Sequence, residues 1–123
     1  EIHNVKPVLF VVAALALAAT LAACGGAASP SPTAVDVTLT ATEFAFDPNT
    51  VEVTAGSQVR FTLANKGTLE HDVTIDALNY TLLAAVGESP SSATATLAAG
   101  TYDFHCSIPG HKEAGMTGTL TVK

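Results

Sequence analysis

Val35-Asp36-Val37-Thr38-Leu39-Thr40-Ala41 alternates apolar and polar residues without a break. Period two puts Val35, Val37, Leu39 and Ala41 on one face of an extended chain and Asp36, Thr38 and Thr40 on the other, as in a half-buried strand. The same alternation recurs downstream. Val51 and Val53 flank Glu52; Val59, Phe61 and Leu63 flank Arg60 and Thr62; His71, Val73 and Ile75 flank Asp72 and Thr74. Ala93, Ala95 and Leu97 alternate with Thr94 and Thr96, Tyr102, Phe104 and Cys106 with Asp103 and His105, and Leu120 and Val122 with Thr119 and Thr121. Turn residues separate these runs: Asp47-Pro48-Asn49, Ala55-Gly56-Ser57, Asn65-Lys66-Gly67 and Ala98-Ala99-Gly100. At least seven short strands at this spacing predict an all-β fold, a Greek-key β-sandwich of seven to eight strands. Ala77 to Val86 fits no single period and reads either as a short helix or as a packed loop. No internal repeat is visible.

Upstream of these strands the composition changes. Gly25 to Thr33 reads GGAASPSPT, a linker composition. Before it, Val8 to Ala23 is an apolar run broken only by Thr20, with Lys6 as the one cation ahead of it. That run is short for a spanning helix, which needs about 20 residues, and has the layout of a secretory signal peptide. It ends Leu21-Ala22-Ala23-Cys24-Gly25, which resembles the lipobox of bacterial lipoproteins, where the Cys becomes the lipid-bearing N-terminus. An ordinary cleavage site or an uncleaved anchor are the alternatives. The expected organisation is a signal peptide at 1–23, a lipidated Cys24 and flexible linker at 24–33, and one domain at 34–123. The domain would then be exported and held on the extracytoplasmic face of a bacterial membrane, in the periplasm or at the cell surface.

The overall composition agrees with that division. Of 123 residues, 48% are apolar and 13% charged. The first 23 hold 17 of the apolar residues, and the remaining 100 hold 42, an ordinary share for a folded domain. Five Lys and Arg against eleven Asp and Glu give a net charge of −6, which argues against nucleic acid as a partner because phosphate binding needs cations. Two cysteines are too few for a disulfide scaffold.

The chemistry concentrates in Cys106-Ser107-Ile108-Pro109-Gly110-His111-Lys112-Glu113-Ala114-Gly115-Met116. This segment spaces a thiol, an imidazole and a thioether as Cys-x4-His-x4-Met, and His71 opens another strand upstream. Two His, one Cys and a weak axial Met form the ligand set of a blue-copper site. Strand parity supports the grouping. Cys106 continues the row of Tyr102 and Phe104, His71 that of Val73 and Ile75, and Met116 that of Leu120 and Val122. Taken singly, each residue reads better as core packing; taken together, metal ligation is the better reading. His105 has the opposite parity and is expected to face outward.

Asn65-x-Gly67, Glu70-His71-Asp72-Val73 and Tyr102-x-Phe104-His105-Cys106-Ser107-Ile108-Pro109-Gly110-His111, followed by Gly115-Met116-x-Gly118, together resemble the cupredoxins, nearest to small bacterial plastocyanin- and auracyanin-like proteins. The resemblance covers Val35 to Lys123. It implies one type 1 copper ion, held by His71, Cys106, His111 and Met116, and one-electron transfer without substrate chemistry. Plastocyanin itself has a shorter Cys-to-His spacing, which leaves the subfamily open. Members of the family usually carry Asn where this chain has Asp72. The Asp72 carboxylate is expected to accept a hydrogen bond from Ser107 and to favour Cu(II).

The expected partners are redox proteins such as a cytochrome or a membrane oxidoreductase, docking at the edge of His111 ringed by Ile108, Pro109, Gly110 and Ala114. The chain is expected to be a monomer, with lipid on Cys24 as its link to the membrane. Copper storage or delivery is the alternative for the same ligands, and a metal-free scaffold a third class. No enzymatic activity is expected: four His are too few for a multicopper oxidase, one domain Cys too few for a binuclear copper centre, and no nucleophile triad or phosphate loop is present.

Overall fold

The computed structural model describes residues 25–26 and 31–123. The expected signal peptide and Cys24 lie outside the described residues. Among these residues, nine strands form two sheets: β1 (Ala34–Thr42), β2 (Ala45–Asp47), β3 (Thr50–Val53), β4 (Gln58–Asn65), β5 (His71–Ile75), β6 (Tyr80–Ala84), β7 (Ser91–Ala93), β8 (Gly100–His105) and β9 (Thr117–Val122). One sheet runs β2-β1-β4-β7 and the other β3-β9-β8-β5-β6. The chain crosses between sheets after β2, β3, β4, β6 and β7, so most neighbours within a sheet are distant in sequence. The pairs β1–β4 and β3–β9 are parallel, and the other pairs are antiparallel.

The core lies between the sheets, where the alternating rows meet. Leu39, Ala41, Val59, Phe61 and Leu63 come from one sheet, and Val73, Ile75, Phe104, Leu120 and Val122 from the other. Registers such as Leu39 opposite Leu63 keep each apolar row on one face, where a one-residue slip would expose it. Three aromatic contacts tie the layers: Phe46 on Phe104 at 5.4 Å, Phe61 on Tyr80 at 5.8 Å and Phe61 toward Phe104 at 6.5 Å. Each fully buried side chain of this size contributes roughly 1.5–3 kcal/mol relative to its exposed state.

The all-β sandwich follows the sequence reading, with three differences in detail. Among the described residues the strands number nine: β2, three residues long, is too short to show a period, and β6 lies in the stretch that fits no single one. The stretch at 77–86, which fits no single period, is mostly covered by a single 3-10 turn, Asp76–Leu78, and β6. Asn79, at φ 49°, makes the join in the left-handed conformation that Asn tolerates. The alternation read at 93–97 holds only at its end: Leu97 is buried as read, but Ala93 and Ala95 are exposed and Thr94 is buried. The Thr94 hydroxyl accepts from the Val59 amide at 3.1 Å and donates to the Ala95 carbonyl at 2.8 Å, which compensates its burial.

Candidate metal centre

The centre forms at one end of the sandwich, where β5 begins and β8 ends. His71 is the first residue of β5 and is fully buried. Cys106 directly follows β8 and is also fully buried. Residues 106–116 then connect β8 to β9 through successive turns. The Cys106 amide donates to the Met116 carbonyl at 3.1 Å, and the Met116 amide donates to the His111 carbonyl at 3.1 Å, closing the loop at its base. His111 sits inside it at 6% exposure, and Met116 is fully buried.

Donor atoms of His71, Cys106 and His111 all lie within 4.8 Å of one another. His71 Nδ1 and His111 Nδ1 are 3.2 Å apart, and Cys106 Sγ lies 3.4 Å from His111 Nδ1. These spacings fit a small ion bound at about 2.0 Å to imidazole nitrogen and about 2.3 Å to thiolate, ordinary lengths for such ligands. The two donors differ in protonation: the His71 imidazole is ready to bind a metal, whereas the Cys106 thiol must first lose its proton. Burial, followed by the neighbouring His111, pushes the His71 pKa down, so its imidazole is neutral at pH 7. Burial pushes the Cys106 thiol up, against the pull of the Asp72 and Ile108 amides, with the Asp72 and Glu70 charges adding to the rise.

Neighbouring groups fix these donors. Asp72, 2% exposed, accepts the Ser107 amide at 2.9 Å on Oδ1 and the Ser107 hydroxyl at 2.5 Å on Oδ2. Thr74 donates to the same Oδ1 at 2.9 Å, and the Asp72 amide lies 3.4 Å from Cys106 Sγ. The expected Asp72–Ser107 link is therefore present, and it clamps the start of β5 to the start of the ligand loop. Sequence parity missed its depth: all five residues of β5 are buried, because Asp72 and Thr74 satisfy each other and their neighbours. Asn65, 1% exposed, donates to the Leu69 and Ala84 carbonyls at 2.8 and 3.0 Å and accepts the Gly67 amide at 2.9 Å, folding residues 66–70 over His71.

Three further details differ from the sequence reading. His111 presents only a narrow edge, because the Phe44 ring packs edge-on against it at 5.1 Å and 77°. Phe44 and Glu43 form the tip of the β1–β2 hairpin beside the ligands, and no residue spacing pointed to them. His105 faces away from the core as expected, but its side chain is only 12% exposed, 3.8 Å from Asp76. It lines a groove of about 610 Å³ on the outer side of β8 and β9, apart from the ligand cluster.

A two-sheet sandwich with two imidazoles and a thiol converging beneath the loop at one end has the architecture of a copper-protein domain. The chain matches the cupredoxin-like domain family over residues 8–122, and it belongs to that family. It is 33% identical over 94 residues to plastocyanin of Dryopteris crassirhizoma, a match covering 65% of this chain and 89% of that one. It is 32% identical over 98 residues to the copper-resistant cuproprotein CopI of Rubrivivax gelatinosus, covering 63% of this chain and 59% of that longer one. Its fold superposes on the auracyanin of Roseiflexus castenholzii with a TM-score of 0.66 at 22% identity, over 74% of this chain and 98% of that structure.

Proposed function

We propose that the chain is a one-electron carrier whose copper is held by His71 Nδ1, Cys106 Sγ and His111 Nδ1, with Met116 as the weak fourth ligand. Copper bound there supplies the Cu(II)/Cu(I) couple. The carrying observation is the buried convergence of two imidazole nitrogens and one thiol at 3.2–3.4 Å within a braced scaffold. A thiolate and a thioether suit Cu(I) and imidazole suits either state. The Asp72–Ser107 clamp, the Asn65 hydrogen bonds and the closed loop base hold the donors in one arrangement, which keeps reorganisation on electron transfer small. The reading is of a carrier rather than an enzyme.

The His111 edge is the port in this reading. Phe44, 39% exposed, lies against it, and Pro109, Gly110 and Ala114 are exposed nearby. Such a patch suits the brief, small-area docking of redox partners, a cytochrome or a membrane oxidoreductase. The net charge of −6 favours a basic partner. The carrier works as a monomer, exported and tethered by lipid on Cys24. The test is the visible spectrum of the copper-loaded chain. An intense thiolate-to-copper band, bleached by reductant and absent in Cys106→Ser, is expected; a colourless wild-type protein would overturn the proposal.

The match to a copper-resistant cuproprotein favours a second reading, copper storage or delivery by the same ligands. The two differ in exchange. A carrier retains copper against a strong chelator for hours and exchanges electrons rapidly with its reduced form. A delivery protein loses copper in minutes.

A further inference from the structure

Among the described residues, one buried side-chain polar atom has no hydrogen-bond partner, and it is His71 Nε2. The ring is fully buried and its Nδ1 faces His111, so the orphaned nitrogen points to the opposite side, away from the donors. The group on that side is the Glu43 carboxylate, with Oε1 3.8 Å from Nε2. We propose that Glu43 is a positioning residue for the metal centre: its carboxylate, locked on the 67–69 loop, faces His71 Nε2 and holds the imidazole with its Nδ1 lone pair turned to the copper.

Three observations support this. First, the carboxylate is fixed although it lies near the surface. Oε1 accepts from the Thr68 amide, the Thr68 hydroxyl at 3.2 Å and the Leu69 amide at 3.2 Å. Together these three donors hold the carboxylate oxygen in one place. Second, the space is closed to anything else. A Cβ on Gly67 would stand 2.9 Å from His71 Nε2 and would press still closer on the Glu43 carboxylate. Third, the backbone delivers Glu43 there at a cost. The hairpin between β1 and β2 turns on Glu43 and Phe44 alone, and Phe44 takes φ 62°, an unfavourable conformation for a bulky residue. The same turn sets the Phe44 ring on His111, so one hairpin tip touches both imidazoles.

A neutral imidazole carries one N–H, and the partner of one nitrogen decides which nitrogen is free to bind metal. An anion facing Nε2 favours the Nε2–H tautomer and leaves Nδ1 bare. At 3.8 Å the pair is too long for a direct hydrogen bond, so Glu43 acts as a charge aligned with the N–H dipole. The inference rests on the copper centre of the proposed function only for its second readout.

The test compares wild type, Glu43→Gln and Glu43→Ala by ¹⁵N NMR of the metal-free chain and by the reduction potential of the copper-loaded chain. Glu43→Gln keeps an oxygen for the Thr68 and Leu69 donors and removes the charge. In wild type the His71 signal is expected to be the Nε2–H tautomer, with the ratio of the two tautomers falling at least about tenfold in Glu43→Ala. The potential is expected to rise in both variants, about tenfold in the Cu(I)/Cu(II) ratio, or 59 mV for one electron. A purely structural role would leave Glu43→Gln at the wild-type potential, and that result would overturn the proposal. So would a wild-type Nδ1–H tautomer, or one unchanged in Glu43→Ala. A wild-type chain that takes up no copper would overturn the proposed function, and the tautomer ratio would then decide this inference alone.

Discussion

Replacing Asp72 separates what its charge does from what its shape does. The carboxylate takes three hydrogen bonds, from the Ser107 amide, the Ser107 hydroxyl and the Thr74 hydroxyl, at 2.5–2.9 Å. An amide in the same place can keep all three contacts: its oxygen accepts from the Ser107 amide and Thr74, and its NH₂ donates to a turned Ser107 hydroxyl. Asp72→Asn should therefore cost less than about 1.5 kcal/mol, an ordinary neutral hydrogen bond. Asp72→Ala abandons the donors, and with hydrogen bonds to charge worth about 1.5–3 kcal/mol each, partly recovered by water, the loss is about 3–5 kcal/mol. For a domain of this size that lowers the melting temperature by roughly 12–40 °C. The charge has its own effect. Ser107 adjoins Cys106, which by ordinary backbone spacing puts the carboxylate roughly 6 Å from the thiolate. At an effective dielectric constant of about 20–40, removing a unit charge there is worth about 1.4–2.8 kcal/mol. In Asp72→Asn the reduction potential should rise by about 60–120 mV, at 59 mV per tenfold. Voltammetry of the copper-loaded chain, with thermal melts of the metal-free chain, measures both quantities. A well-folded Asp72→Asn protein whose potential is unchanged or lower would refute the charge argument.

Copper uptake at neutral pH should release about one proton, because burial keeps Cys106 a thiol while His71 is already neutral; affinity therefore tightens as pH rises, and titration calorimetry in two buffers of different ionisation enthalpy would refute this by finding no proton released. Gly118→Ala should cost about 3 kcal/mol or more by overpacking, since a Cβ there would strike the buried Phe104 ring and stand 2.6 Å from the Asn49 carbonyl; a urea midpoint equal to wild type would exclude it. Burial pushes the Tyr80 phenol up to about 12 while its hydroxyl donates to the Ser92 carbonyl at 3.0 Å. The raised folded-state value means that its contribution is complete below about pH 10 and is lost as pH climbs toward 12; the extra slope in stability over that window should vanish in Tyr80→Phe, and an identical slope in the two proteins would contradict the assignment.

Much of this was legible in the residues, and the gaps have physical causes. β1, β4, β8 and β9 announced themselves because Val, Leu, Ile and Phe alternate with Thr and Asp, the pattern of a strand that buries one row; β5 shows the same alternation but buries Asp72 and Thr74 as well. At 93–97 the apparent row was made of Ala93 and Ala95, and alanine gains so little by burial that it does not set the phase; Thr94, with two hydrogen bonds to satisfy it, went inside instead. At 77–86 the pattern failed because Leu82 is buried while Leu83 beside it is half exposed. The three donors were readable from spacing and parity, since one loop and one strand end supply them. The Asp72–Ser107 clamp was readable because each residue follows a donor in sequence. Glu43 and Phe44 were not, because their role comes from a hairpin that folds back from 28 residues before His71, and no local period encodes that return. The four residues between the end of the Ala41 row and Phe46, enough only for a tight turn, were the available signal.

The direction of β1 also gives the molecule a polarity. β1 enters the sandwich at Ala34 and ends at Thr42, next to the hairpin tip that touches both imidazoles. Eight steps of about 3.3 Å separate those points by about 26 Å along the strand. The chain upstream of Ala34 thus leaves from the pole opposite the ligands. A surface, a matrix or a bulky fusion joined directly at Ala34 would meet the domain at the end away from its Phe44–His111 face. A label or anchor joined there would be a handle rather than a plug.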